Sequence, residues 1–260
     1  MTERPGNRDG VVFILVYHRI AREEARWTRS VEAFRNDLER LYDMGFRPVA
    51  LSAYLSGEMD LPPGASPVVF TFDDSSSSQF RILEDGTVDP ACAVGVWADF
   101  AAEHPGFPPL ATFFVLPRQP WGQAAWLDRK LETLKEWGCE LGSHTMTHAN
   151  LRGLSDEGMK KELAGAADFI EGLGFEINSL SLPYGVSPKN RELLAGFEYE
   201  GKTYSLRAAL LVGAEPARAP GSENLDPYLL PRIQATELEY GLTWWLDRVE
   251  AGKVRPYVEP

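Results

Sequence analysis

The sequence is poor in cysteine: Cys92 and Cys139 are the only two in 260 residues. Two thiols do not make a disulfide framework. Both stand in apolar surroundings, A-C-A-V and G-C-E-L, and read as buried free thiols. Long hydrophobic runs are missing as well. Residues 11–17 and 110–116 are strand-length and far too short to cross a bilayer, so no transmembrane segment is expected. Basic residues are outnumbered, 26 Lys and Arg against 38 Asp and Glu, for a formal net charge of −12. That balance argues against nucleic acid or an anionic membrane as the main partner. The opening M-T-E-R-P-G-N-R-D-G contains no apolar h-region and is not a signal peptide. With no internal repeat, low-complexity tract or linker, the economical division is a loose stretch over residues 1–10 and one domain over 11–260.

What is present is ordinary globular material, 44% hydrophobic and 25% charged, in enough length to bury a large core. It is arranged as an alternation. A buried-strand run over 11–17 ends at His18. Ser30 then reads as an N-cap for a helix in which Val31, Phe34, Leu38 and Leu41 recur at helical spacing up to Gly45. A short strand and a helical turn fit within 46–55, and a strand fits 68–72. An apolar patch over 92–97 precedes a short helix expected at 98–103, with His104 in a surface loop. Further strands are expected at 110–116, 139–143, 177–182 and 208–212. Helices are expected at 127–137 and after Ser155, with a Trp244-Trp245 helix near the end. Repeated strand–helix–strand order predicts an α/β chain with a parallel sheet or barrel.

The chain is organised around P-V-V-F-T-F-D-D-S-S-S-S-Q-F at 67–80. Residues 68–72 suit a strand buried on both faces, and Asp73 and Asp74 follow where that strand emerges. The ends of parallel strands are where α/β folds carry chemistry. The plain alternative is a solvated turn, because Asp and Ser both favour turns. Further along, His144 and His148 are four residues apart. In an extended strand they would be roughly 13 Å apart and unable to share an ion, so the spacing has meaning only if the chain turns after Ser143, as on a helical turn. The zinc-protease pattern fails, because Thr145 stands where HExxH needs Glu. Two imidazoles and a carboxylate are a common set for a catalytic divalent metal, and a second carboxylate beside them can act as a base.

T-F-D-D at 71–74, H-T-M-T-H at 144–148 and L-P-Y-G at 182–185 occur in that order. Together they resemble the polysaccharide deacetylase (NodB-homology) family of carbohydrate esterases over about residues 11–233. The resemblance implies an irregular (β/α) barrel of about seven strands. It implies metal-dependent hydrolysis of N-acetyl groups on the amino sugars of a polysaccharide, with an N-acetylated glycan as partner. Asp73 would be the general base. Asp74, His144 and His148 would bind one divalent ion, zinc first, with cobalt, nickel or iron as alternatives. The backbone N–H of Tyr184, after Pro183, would help hold the oxyanion, and Tyr184 would line the sugar groove.

The chain departs from the family pattern in three places. Ser75 follows the Asp pair where most members have Gly. The motif-three arginine that orients the base is absent, Ser181 and Leu182 occupying its region, so Arg232 or Arg207 is the candidate substitute. No Leu-x-His motif appears near the C-terminus; instead, as in the permuted branch that includes poly-N-acetylglucosamine deacetylases, an N-terminal strand ends in His18, which is then the expected general acid. The alternatives are an O-acetyl carbohydrate esterase and a catalytically silent glycan-binding protein on the same fold. The resemblance also implies work at the cell envelope or outside the cell with a leader removed, the cytoplasm being the alternative compartment.

Overall fold

The computed structural model describes residues 4–260. Its frame follows the alternation in the sequence. The strands are β1 (Phe13–Tyr17), β2 (Arg19–Ala21), β3 (Thr28–Ser30), β4 (Phe46–Pro48), β5 (Ser66–Phe72), β6 (Ala111–Val115), β7 (Glu140–Ser143), β8 (Ser179–Ser181), β9 (Phe197–Tyr199), β10 (Lys202–Tyr204), β11 (Ala208–Leu210) and β12 (Ile233–Gln234). The helices are α1 (Val31–Asp43), α2 (Leu51–Ser56), α3 (Ala93–Glu103), α4 (Leu127–Glu136), α5 (Asp156–Gly172), α6 (Glu192–Ala195) and α7 (Leu242–Glu250). Seven parallel strands run in the order β11-β8-β7-β6-β5-β1-β12 and curl into an incomplete barrel. β4 pairs with the first half of β5 and β6 with the second.

β5 is central because both of its faces are apolar. Val68, Phe70 and Phe72 point into the core beneath the helices, beside Phe34, Leu38 and Trp97. Val69 points the other way, into the curl, with Ile14 and Phe114. Burying each such side chain stabilises the fold by roughly 1.5–3 kcal/mol. Thr71 shares the parity of Val69, and so does Asp73, so the period of two aims Asp73 into the curl. That placement decides its chemistry.

The caps fall where the sequence puts them. Ser30 Oγ accepts from Ala33 N at 3.0 Å, and Ser155 Oγ accepts from Gly158 N at 3.2 Å. Gly45 and Gly174 follow their helices with φ of 80° and 75°. Cys92 and Cys139 are buried free thiols.

Three expectations change. α3 begins at Ala93, five residues before the expected start. Val94, Val96, Trp97 and Phe100 are all buried, so the helix is covered on most sides and has little amphipathic signal. His104 caps α3 instead of lying in a free loop, stacked on Phe100 at 3.9 Å between ring centroids. Of the stretch expected to be loose, residues 1–3 lie outside the described residues. The rest is tied down: Asn7 pairs with Val258, and Arg4 donates to the Met44 carbonyl and to Ser66 Oγ.

The two edges of the sheet meet at a seam. Leu230 pairs with Leu210 of β11, and three residues later Ile233 pairs with Leu15 of β1. The segment between them crosses the gap carrying Arg232.

Candidate active site

Apart from the two arginines, the candidate side chains follow the C-terminal ends of parallel strands. His18 follows β1, Asp73 and Asp74 follow β5, His144 follows β7, and Pro183-Tyr184 come two residues after β8. These ends surround a cleft of about 540 Å³ lined by His18, Asp73, Asp74, His144, His148 and Tyr184, with Trp27 at one wall.

Asp73 has no exposed surface. Its Oδ1 accepts from Arg232 Nη1 and its Oδ2 from Arg232 Nη2, both at 2.8 Å. Ser181 Oγ donates to Oδ2 at 2.8 Å while accepting from Arg232 Nη2. Arg232 also donates to Thr71 Oγ1 and, through Nε, to the Leu211 carbonyl. Its five hydrogen bonds match the five N–H donors of a guanidinium. Burial works to raise the Asp73 carboxyl, but Arg232, His144 and His18 overcome it and hold the group well below the usual carboxylate range. Arg232 is therefore the partner of this carboxylate. Arg207 is not: it is exposed, and it precedes β11, at the opposite end of the sheet.

Asp74 Oδ1 lies 3.3 Å from His144 Nε2 and 3.7 Å from His148 Nε2. Among the described residues these three form a group whose ligand atoms lie within 4.8 Å of one another. His144 Nδ1 is 2.8 Å from the Ser181 carbonyl, which can only accept, so the proton sits on Nδ1 and the Nε2 lone pair faces the cluster. The donor set and its orientation fit a divalent ion.

The expected helical turn between the two histidines is not what joins them. Thr145 and His148 adopt φ of 64° and 59°, so the chain folds back as an irregular loop with the rings 4.8 Å apart. Side chains hold that loop. Thr145 N donates to Ser143 Oγ, and Thr147 donates through N and Oγ1 to the Glu162 carboxylate on α5.

Ser75 has φ of 46°, a region that favours glycine and costs other residues roughly 1–2 kcal/mol. Its Oγ accepts from Leu116 N and its carbonyl from Trp121 N, which fix the loop behind Asp74.

His18 Nε2 is 4.0 Å from Asp73 Oδ2, and the His18 ring packs 4.7 Å from Trp27. Burial pushes the His18 imidazole below its ordinary value, with Asp73 and Asp74 opposing. Gln79 Nε2 donates both to the His18 carbonyl (2.7 Å) and to the Asp73 carbonyl (2.5 Å), so one buried amide ties the two strand ends together. Tyr184, with φ of 61°, is 65% exposed and packs its ring 4.7 Å from His148.

Gln79 and Trp27 were not singled out in the sequence, and Thr71 and Ser181 were named there without a role of their own. Thr71 and Ser181 carry one faint signal, a hydroxyl inside a short run otherwise read as buried strand. Gln79 carries none.

A family model described as polysaccharide deacetylase matches residues 109–201, which include both histidines and Pro183-Tyr184. YxkH of Bacillus subtilis (strain 168), named for the polysaccharide deacetylases, is 22% identical over 90% of this chain and 74% of its own length. Among solved structures, the Streptococcus pyogenes deacetylase PplD has a TM-score of 0.67 at 16% identity, covering 97% of this chain and 100% of that one. BA0330 from Bacillus anthracis gives 0.63 at 17% identity over 87% of this chain, which spans only 65% of that structure. A de-N-acetylase from Aggregatibacter actinomycetemcomitans gives 0.58 at 17% identity, covering 91% and 98%. Residues 109–201 thus match the polysaccharide deacetylase family model, and the curled parallel sheet is the fold of the solved deacetylases.

Proposed function

We propose that this protein is a metal-dependent hydrolase that removes N-acetyl groups from amino-sugar residues of a polysaccharide at the cell envelope or outside the cell. The observation that carries the reading is a buried, ionised Asp73 held between the Asp74–His144–His148 cluster and His18 in one cleft. A divalent ion on that cluster, zinc being well suited to the donor set, would supply Lewis-acid polarisation to the acetyl carbonyl and the nucleophilic water.

The chain's own groups account for the proton movements. Asp73 accepts a proton from water as the water oxygen bonds to the acetyl carbon. A carboxylate so strongly stabilised is a weak base, so after His18 has protonated the leaving amine Asp73 passes its proton to the neutral His18, 4.0 Å away, which restores both groups. The Tyr184 backbone N–H donates to the developing oxyanion. His18, as imidazolium, gives its proton to the amine nitrogen as the C–N bond breaks, leaving acetate and a free amino sugar. An amine leaving group needs that proton far more than an alcohol does. The position of His18 beside Asp73 therefore favours the N-acetyl reading over the O-acetyl one, and the de-N-acetylase named above supports it.

The test is divalent metal content per chain by elemental analysis, alongside acetate release. Near one ion is expected in the wild type and in Asp73→Asn, with turnover lost only in the variant. The His144→Ala/His148→Ala double variant should lose the ion. An active Asp73→Asn protein, or no ion in the wild type after dialysis against zinc or cobalt, would overturn the reading.

A further inference from the structure

The wall of the cleft beside His18 is built by the ribbon of β2, β3 and their connecting loop, residues 19–30. Its sequence, R-I-A-R-E-E-A-R-W-T-R-S, holds four arginines, and the structure gives them different tasks. Arg29 is 5% exposed and is spent on the fold. Its Nε and Nη2 grip the Asp37 carboxylate, which also accepts from Tyr17 Oη, and its Nη1 binds Glu24 at 2.7 Å. Glu24 further accepts from Ser30 N. Burial and ion pairing thus consume Arg29 and the acid nearest to it, and they make the ribbon a rigid wall.

Arg22 is exposed and does not line the cleft, which leaves Arg19 and Arg26. Both line the cleft with His18 and Trp27, and both are exposed. Among the described residues neither has a carboxylate within ion-pair distance. The Arg26 carbonyl accepts from Gln234 and its guanidinium lies 5.3 Å from the Trp27 ring, so it is held against the wall. Among the described residues, the carboxylates lining the cleft are Asp73 and Asp74. Asp73 is neutralised from inside by Arg232, and Asp74 faces two imidazoles. A chain of net charge −12 therefore presents a locally cationic wall at its one candidate reaction centre. A concave wall of low dielectric concentrates that field on whatever enters.

A neutral polymer of N-acetylhexosamine offers these guanidinium groups nothing to pair with. A planar carboxylate or a phosphate matches them in charge and geometry. We propose that the glycan taken by this cleft is acidic, carrying a carboxylate or phosphate on or next to the sugar whose acetamide is cleaved, and that Arg19 and Arg26 select it. This rests on the deacetylase reading above and specifies its substrate class.

The experiment compares three N-acetylated oligosaccharides of matched length: a neutral one, one bearing carboxylates and one bearing phosphates. Acetate release and direct binding, followed by Trp fluorescence, are measured for the metal-loaded wild type, Arg19→Gln/Arg26→Gln and Arg19→Lys/Arg26→Lys. Expected is a preference for one acidic oligosaccharide over the neutral one of about tenfold or more in kcat/KM, carried by KM. The preference should shrink as salt rises through the screening range, collapse toward one in the Gln variant and return in part in the Lys variant. Which acidic oligosaccharide is preferred separates carboxylate from phosphate. A wild type that deacetylates the neutral glycan as well as either acidic one refutes the proposal and leaves the deacetylase reading intact. So does a Gln variant that keeps the preference. Arginine-dependent binding of the acidic glycan with no acetate released from any of the three would instead uphold the selectivity and sink the deacetylase reading.

Discussion

Replacing Arg232 by Met tests the logic of the site most directly. The substitution removes all five hydrogen bonds of the guanidinium and leaves the Asp73 carboxylate buried with Ser181 as its remaining neutral donor. Stranding one partner of a buried ion pair costs about 3–5 kcal/mol. At roughly 2–4 °C per kcal/mol for a chain of this size, Tm should fall by roughly 6–20 °C. The charge itself is the source of the cost, so Asp73→Asn in the Arg232→Met background should recover on the order of 2 kcal/mol relative to additivity. The four proteins of this cycle are unfolded in urea with a chelator present, so that metal binding does not contribute. The sign with pH is fixed too. The folded carboxyl titrates below its ordinary 3.8, so the wild-type pair stabilises the fold above that value. It loses the contribution as acid carries the solution down through the folded value, and Arg232→Met should lack that dependence. An Arg232→Met protein within 1 kcal/mol of wild type, or a strictly additive cycle, would refute the claim that this pair organises the site.

Other perturbations should act independently. His18→Ala should cut acetate release from N-acetyl substrates by about 10²–10⁴-fold while sparing O-acetyl esters, and equal loss on both would remove His18 as the acid. Burial lowers the Lys130 amine from 10.5 to about 8, so the unfolded chain holds more protons between those values. Wild-type Tm should therefore rise relative to Lys130→Met as pH climbs from 8 to 10.5, and a constant difference would contradict the burial argument. A Cβ on Gly95 would overlap the Asp89 carbonyl, so Gly95→Ala should cost about 1–3 kcal/mol. Gly153→Ala, where nothing lies within 4 Å, should be nearly silent in the same urea titration.

The frame of the fold was legible because it depends on local signals. The β5 run, the Ser30 and Ser155 caps and the terminating glycines report hydrophobic period and backbone freedom, which are properties of adjacent residues. The early start of α3 was hidden for the opposite reason: a helix buried on most sides has no polar face to set its period. The adjacency of Asp73 and Asp74 to a buried strand end, and the spacing of His144 and His148, marked side chains that the structure gathers in one cleft. The chain does turn after Ser143 as that spacing requires, but the form of the turn was not legible, because a loop held by Thr147 and Glu162 depends on a contact 15 residues away.

The sequence by itself determined the parallel α/β class and the strand ends that carry Asp73, Asp74, His144 and His18. Only the tertiary structure decided which arginine serves Asp73. Arg207 and Arg232 both lie more than a hundred residues from it along the chain, so sequence distance does not choose between them. The choice fell to Arg232 because the segment after Leu230 crosses the seam of an incomplete barrel and so points its side chain at the inward parity of β5. The division of labour in the 19–30 ribbon was settled the same way. Four arginines in twelve residues look alike until packing against Asp37 takes one of them into the core and leaves Arg19 and Arg26 facing the cleft.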